Sequence, residues 1–306
     1  MDALRGGEPG IRRQHTALDF HADARALYDL LLKPIAPAVG ARSRLVVVPD
    51  GVLWTIPFEA LEPAADRSVV DSTTIAYAPS IAVLRVMRDR QRMLGSRLTS
   101  PLLAVAADPV SDLPRLPAAA RQASTLAALY GAPRSRVLVG AAATEPKVRS
   151  ALADADVLHF ATHGIVDDRD PMYSFLQLTR GGADAAGDGR LEAWEIQSLK
   201  LRAAVAVLTA CDTARGTLGG GEGVIGLAWS FLAAGTPSMV VSLWELDAGS
   251  ATALTSDLHQ RLRASMVGGH VRVAESLRSA MLQLRSNPRY RHPYYWAGLV
   301  AVGDGY

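Results

Sequence analysis

Short, uninterrupted apolar runs alternate along this chain with longer stretches in which apolar residues recur every third or fourth position. Runs rich in Val, Leu and Ala, closed off by Gly, Pro, Asp or Ser, predict strands buried on both faces; the wider spacing predicts helices that bury one side. Ala26, Leu27, Leu30 and Leu31 have the helical spacing, and Pro34 and Pro37 end that helix. The run 44–49 predicts a strand, Asp50-Gly51 a turn, and Val52-Leu53-Trp54 a returning strand. Residues 73–78 predict a further strand, and Ser80 a cap for the helix carrying Leu84, Val86 and Met87.

Between Arg88 and Pro101 the chain turns basic and polar, which marks a boundary between an N-terminal subdomain, 21–98, and a second one, 99–306. Residues 1–20 are expected to form a loose polar leader. Past the boundary the expected order is strand 102–106, helix 118–129, strand 136–139, helix 145–152, strand 157–162 and strand 203–210. A helix to Ala234, a strand 239–244, two helices at 248–262 and 271–284, and a last strand 294–303 follow. Strands alternating with helices over short connections predict an α/β fold with a mostly parallel sheet covered on both faces.

Two of these strands end in reactive side chains. Strand 157–162 runs into His163-Gly164, and strand 203–210 into Cys211, the only cysteine. In open α/β sheets chemistry gathers at the carboxyl ends of the strands. If the two strands are neighbours, about 4.8 Å apart, imidazole and thiol share one rim and meet at a mouth that opens onto water. Such a pair suggests a cysteine nucleophile with its acid/base partner. The alternative for Cys211 is a buried cysteine packing as a small hydrophobe. His159, in the body of the same strand, is expected to be a structural core histidine.

Composition narrows the field. At 306 residues and 49% hydrophobic the chain buries a substantial core, and disorder is excluded. A net charge of +2 with scattered Arg gives no support to direct nucleic-acid binding. One cysteine forbids an internal disulfide and fits a reducing compartment; with no secretory signal visible, cytoplasm is the expectation. Residues 226–244 carry no charge and are about long enough to span a membrane, but Gly235-Thr236-Pro237-Ser238 divides them into a helix, a turn and a strand. The glycine-rich loop 216–223 resembles a phosphate cradle only superficially: no Lys follows in position, and Glu222 would repel phosphate. Glu222 either lines a substrate site or belongs to a loop that caps the next helix. No metal and no cofactor is called for.

The His-Gly and Ala-Cys strand ends resemble the caspase and separase group of cysteine proteases. Leu158-His159-Phe160-Ala161-Thr162-His163-Gly164, Leu208-Thr209-Ala210-Cys211-Asp212-Thr213, Gly221-Glu222-Gly223 and Ser242-Leu243-Trp244 are similar to the CHAT domain, a caspase-like bacterial domain often found beside tetratricopeptide repeats. Val48-Pro49-Asp50-Gly51, Ala78-Pro79-Ser80 and Pro293-Tyr294-Tyr295-Trp296 extend the resemblance from about Ala26 through Tyr306. Cys211 follows His163 by 48 positions (211 − 163), against roughly 50 in caspases.

The resemblance implies a caspase-like three-layer sandwich preceded by a reduced, inactive caspase-like half. It also implies hydrolysis of a specific protein partner in bacterial defence or cell-death signalling, held off until a regulatory protein or signal arrives. No tetratricopeptide repeat precedes the domain here, so a partner supplies the regulatory surface or the chain is a piece of a longer protein. The other reading is a catalytically idle interaction module.

In the catalytic reading Cys211 attacks, His163 protonates the leaving amine, and the amides of Gly164 and Cys211 hold the oxyanion. Gly164 is also readable as a turn glycine needing positive φ, and both readings can hold at once. Asp247, past the strand ending at Trp244, is either the acid of a pocket for a basic side chain or a helix cap. Where family members often carry paired acids, this chain has Asp247 then Ala248.

Overall fold

The computed structural model describes residues 16–39, 44–95, 99, 101–108, 113–131, 134–167, 169–181, 187–209, 222–267 and 271–306. The chain enters through helices α1 (Thr16–Leu31) and α2 (Ala36–Val39), strands β1 (Arg44–Val47) and β2 (Thr74–Tyr77), and helix α3 (Ile81–Gly95). It then alternates: β3 (Leu102–Ala106), α4 (Pro117–Tyr130), β4 (Ser135–Val139), α5 (Glu145–Leu152), β5 (Val157–Phe160). A small arm of β6 (Gly164–Ile165), β7 (Phe175–Gln177) and β8 (Arg190–Glu192) follows, closed by α6 (Ala193–Gln197). The remainder is β9 (Val205–Leu208), α7 (Glu222–Ala234), β10 (Ser238–Ser242), α8 (Ala248–Val267), α9 (Val273–Arg285), α10 (Pro293–Trp296) and β11 (Leu299–Gly303).

Eight strands form one sheet in the order β1-β2-β11-β10-β9-β5-β3-β4, and the arm is a separate three-stranded antiparallel sheet. Every neighbouring pair in the large sheet is parallel except β10 with β11. Residues 21–98 therefore contribute β1 and β2 to the same sheet, joined to the rest through β11.

Side chains alternate across the strands with period two, which sorts the core into two halves. Leu103, Val105, Leu158, Phe160, Ala206 and Leu208 point to one face, where they meet α5 and α7; Ala104, Val157, Val205 and Val207 point to the other, under α4, α8 and α9. The result is a three-layer sandwich. Continuous apolar runs were the correct sign of it, because a strand covered on both faces has no polar side to show.

Three local expectations are revised. Helix α1 begins at Thr16, inside the expected leader, because Phe20 and Ala24 continue its apolar stripe and are both buried. Val52-Leu53-Trp54 is no strand but part of a 3₁₀ helix, Gly51–Thr55. Gly51 takes φ of 51°, and the following N–H groups close locally, Leu53 N onto Asp50 O at 3.1 Å and Ile56 N onto Leu53 O at 3.2 Å. The last strand is shorter than 294–303: Pro293 opens α10, the Nδ1 of His292 accepts from Tyr294 N, and β11 starts only at Leu299. Ser80 caps α3 as expected, accepting from Val83 N at 3.1 Å. Gly268-Gly269, expected to separate α8 from α9, lies outside the described residues. None of the described helices is long and apolar enough to cross a membrane.

His159 is wholly buried between β5 and the helices on its face. Its Nδ1 lies 3.2 Å from Nε2 of His259 on α8, whose Nδ1 lies 3.1 Å from the Tyr130 hydroxyl on α4. The Nε2 of His159 has no partner among the described residues. Burial pushes the His159 pKa down to about 3 and holds His259 well below the ordinary range. Both rings are thus neutral in the fold and become basic on unfolding. Below pH 6.5 the unfolded chain binds the extra protons, so stability is lost as pH falls from 6.5 toward 3. The expected slope approaches about 1.4 kcal/mol per pH unit for each histidine. Urea unfolding at pH 7 and pH 5 checks this: the drop should shrink in a His159→Leu/His259→Leu double variant, and an equal drop in both proteins would refute it.

Candidate active site

The strand ends that carry the sequence signals are neighbours. β5 pairs with β9 in parallel, from Val157 against Val205 to Phe160 against Leu208, near the middle of the sheet. Thr209 prolongs the pairing: its N–H donates to the Phe160 carbonyl at 3.0 Å, and its hydroxyl to the same oxygen at 3.1 Å. His163 stands three positions past the end of β5, and in the sequence Cys211 stands three past the end of β9. Cys211 itself lies outside the described residues, as does most of the glycine-rich loop.

Main-chain groups hold His163. Its Nε2 is 2.8 Å from the Pro114 carbonyl, in the loop between β3 and α4. A carbonyl only accepts, so Nε2 carries the proton and, in the neutral ring, Nδ1 carries the lone pair. Nδ1 has no partner among the described residues. This is the nitrogen free to exchange a proton with a reactant. From the other side the His163 carbonyl accepts from Gln177 N at 2.8 Å, and the Thr162 hydroxyl donates to the Gln177 carbonyl.

The imidazole is not open to water as expected: His163 is only 3% exposed. Gly164 begins β6, paired with Leu176, and its φ is not positive, so the turn alternative falls away. Asp247 follows β10, which runs parallel to β9 and ends on the same rim. Its Oδ1 accepts from Ser250 N at 2.9 Å and the Ser250 hydroxyl donates to its carbonyl at 2.9 Å, so it caps α8. Glu222 is the first residue of α7. Sequence reasoning missed Pro114, Thr162 and Gln177. Two of the three contribute backbone atoms, for which the residue type gives no signal.

A protein-family model, the CHAT domain, matches residues 21–304. Tetratricopeptide repeat protein 28 is 27% identical over 332 residues in Homo sapiens and 25% over 329 residues in Mus musculus, each match covering 92% of this chain. The chain spans 13% of the length of those curated relatives. Among solved structures, a chain of the Saccharomyces cerevisiae separase–securin complex superposes with a TM-score of 0.51 at 16% identity, covering 81% of this chain and 15% of that one. The Arg-specific cysteine proteinase gingipain R superposes with a TM-score of 0.54 at 10% identity, covering 95% of this chain and 68% of that one. At such identities the likeness is one of fold, and the fold is caspase-like.

The capping role of Asp247 has a measurable consequence. Asp247→Ala should lower the unfolding free energy by about 1 kcal/mol, while Asp247→Ser, which keeps a capping oxygen, should lose much less. Equal losses in chemical denaturation would show that the cap contributes nothing.

Proposed function

Because the chain belongs to the CHAT domain family, we propose that it is a cysteine endopeptidase, with Cys211 as nucleophile and His163 as acid/base partner. The observation that carries this reading is the β5–β9 register, in which Phe160 faces Leu208. The two reactive residues have the same separation along the chain as those paired strand ends.

The chemistry follows from the protons. The Cys211 thiolate attacks the scissile carbonyl carbon, and the carbonyl electron pair moves onto oxygen, held by the amides of Gly164 and Cys211. The tetrahedral adduct collapses as the C–N bond breaks, and the leaving nitrogen takes a proton from Nδ1 of His163. Nε2 keeps its proton throughout, because its partner among the described residues, the Pro114 carbonyl, can only accept. Water then adds to the thioester, gives its proton to the same Nδ1, and the acid product leaves with the thiolate restored. An imidazolium beside the sulfur lowers the thiol pKa and keeps the nucleophile charged.

The near-complete burial of His163 supports a latent form that a regulatory protein partner or the substrate itself must open. Asp247, with Oδ1 engaged at the helix cap, leaves Oδ2 for a basic side chain of the substrate; Glu222 would line the same site. A preference for cleavage beside Arg or Lys follows, and a peptide library should show it weaken in Asp247→Ala.

Co-expression with candidate partners, read by mass spectrometry of new protein termini, tests the activity. Cys211→Ala and His163→Ala should each lower cleavage by about three orders of magnitude or more while leaving the unfolding transition in place. A Cys211→Ala protein that cleaves as well as the parent would overturn the proposal. Failure of a cysteine-directed peptide probe to label Cys211 with any partner would favour the idle interaction module.

A further inference from the structure

His163 lies beyond the last residue of β5, so the sheet that fixes β5 does not fix the imidazole. What restrains it comes from two directions: the Pro114 carbonyl at Nε2, and the three-stranded arm behind its main chain. On the arm, Gln177 is hydrogen-bonded to both Thr162 and His163. Gln177 donates its N–H to the His163 carbonyl at 2.8 Å and accepts from the Thr162 hydroxyl at its own carbonyl. Gln177 is 7% exposed, and its side-chain amide uses its nitrogen on the Leu178 carbonyl at 2.8 Å and the Gly189 carbonyl at 2.9 Å.

That amide locks the strand exit of β7 to the entry of β8, where Gly189 also accepts from Leu178 N at 2.7 Å. The close approach needs glycine: at φ of 82° a Cβ on Gly189 would sit 3.1 Å from the Leu178 carbonyl oxygen. Two residues on, the Thr179 hydroxyl donates to the Gly140 carbonyl at 2.8 Å and accepts from Asp108 N at 3.1 Å, at the start of the connection that later carries Pro114. One short stretch, Gln177 to Thr179, thus bonds directly to the histidine segment and to Asp108, at the start of the connection that leads to Pro114.

We infer that Gln177 is a positioning residue for His163, its side chain holding the arm in the register that aims the imidazole at the nucleophile. The inference rests on the cysteine–histidine reading of the site. A leucine in its place keeps the volume and loses both donors. A glutamate keeps the shape, but ionised it sets oxygen against two carbonyl oxygens, and only when protonated can it donate one hydrogen bond.

Cys211 is the only thiol, so the pH dependence of iodoacetamide alkylation reports its thiolate directly, whether or not the protein is cleaving anything. The wild-type protein should titrate below the ordinary thiol value of about 8.5, with His163→Ala moving the inflection up. Gln177→Leu should move it up as well, and in a cleavage assay lower kcat about 10- to 100-fold with KM little changed. Gln177→Glu should regain activity as pH is lowered. If Gln177→Leu does not fold, Thr162→Val, which deletes a single hydrogen bond to Gln177, should shift the inflection in the same direction by less. Folded variants that keep the wild-type inflection overturn the positioning role and leave the cysteine–histidine reading standing. A wild-type inflection at the ordinary thiol value, unmoved in His163→Ala, overturns that reading and this inference together.

Discussion

The parallel pairing of β5 with β9 is the constraint on which the rest of the molecule hangs. Two strands buried on both faces deliver their carboxyl ends to one rim with a spacing set by the hydrogen-bond ladder, about 4.8 Å, and with no help from any loop. The flanking layers serve that pairing. α5 and α7 cover one face, α4, α8 and α9 the other, and the strands supply apolar side chains to both in strict alternation. A sheet of this kind has little freedom to slip, because a shift of one residue would exchange its two halves of the core.

Two histidines four positions apart on this one segment have opposite fates, and the difference is entirely one of place. His159 sits inside the ladder, facing α8, where burial keeps it neutral and its partners are His259 and, through it, Tyr130. His163 has left the ladder, is held at Nε2 by a carbonyl and offers Nδ1. A ring fixed at one nitrogen, with the other unpartnered among the described residues, suits proton transfer; a ring tied into a buried chain suits packing.

The N-terminal segment joins the large sheet through β11, the strand that runs antiparallel to β10. β11 runs against β10 and alongside β2, so β1 and β2 extend the sheet past the strand that would otherwise be its edge. Exposed sheet edges invite pairing with other chains, and here that edge is already occupied. Tyr77 of β2 anchors the junction, accepting from Phe58 N at 2.9 Å while its ring packs 6.3 Å from Trp54.

By itself the sequence determined what its periodicity and residue chemistry encode. Continuous runs such as 102–106 and 157–160 are legible as doubly covered strands because no alternation survives when both faces are buried; Ser80 is legible as a cap because its oxygen acts within one turn; His163 and Cys211 are legible as candidates because few residue types can serve as acid/base or nucleophile. Tertiary structure alone decided the neighbours: that β5 lies beside β9, that β11 reverses, that Val52-Leu53-Trp54 coils after Gly51, and that α1 reaches back to Thr16. It also decided the supports of His163, which are the Pro114 carbonyl and the main chain of Gln177. Every residue carries a carbonyl and nearly every one an N–H, so which of them meets a given imidazole is written only in the path of the folded chain.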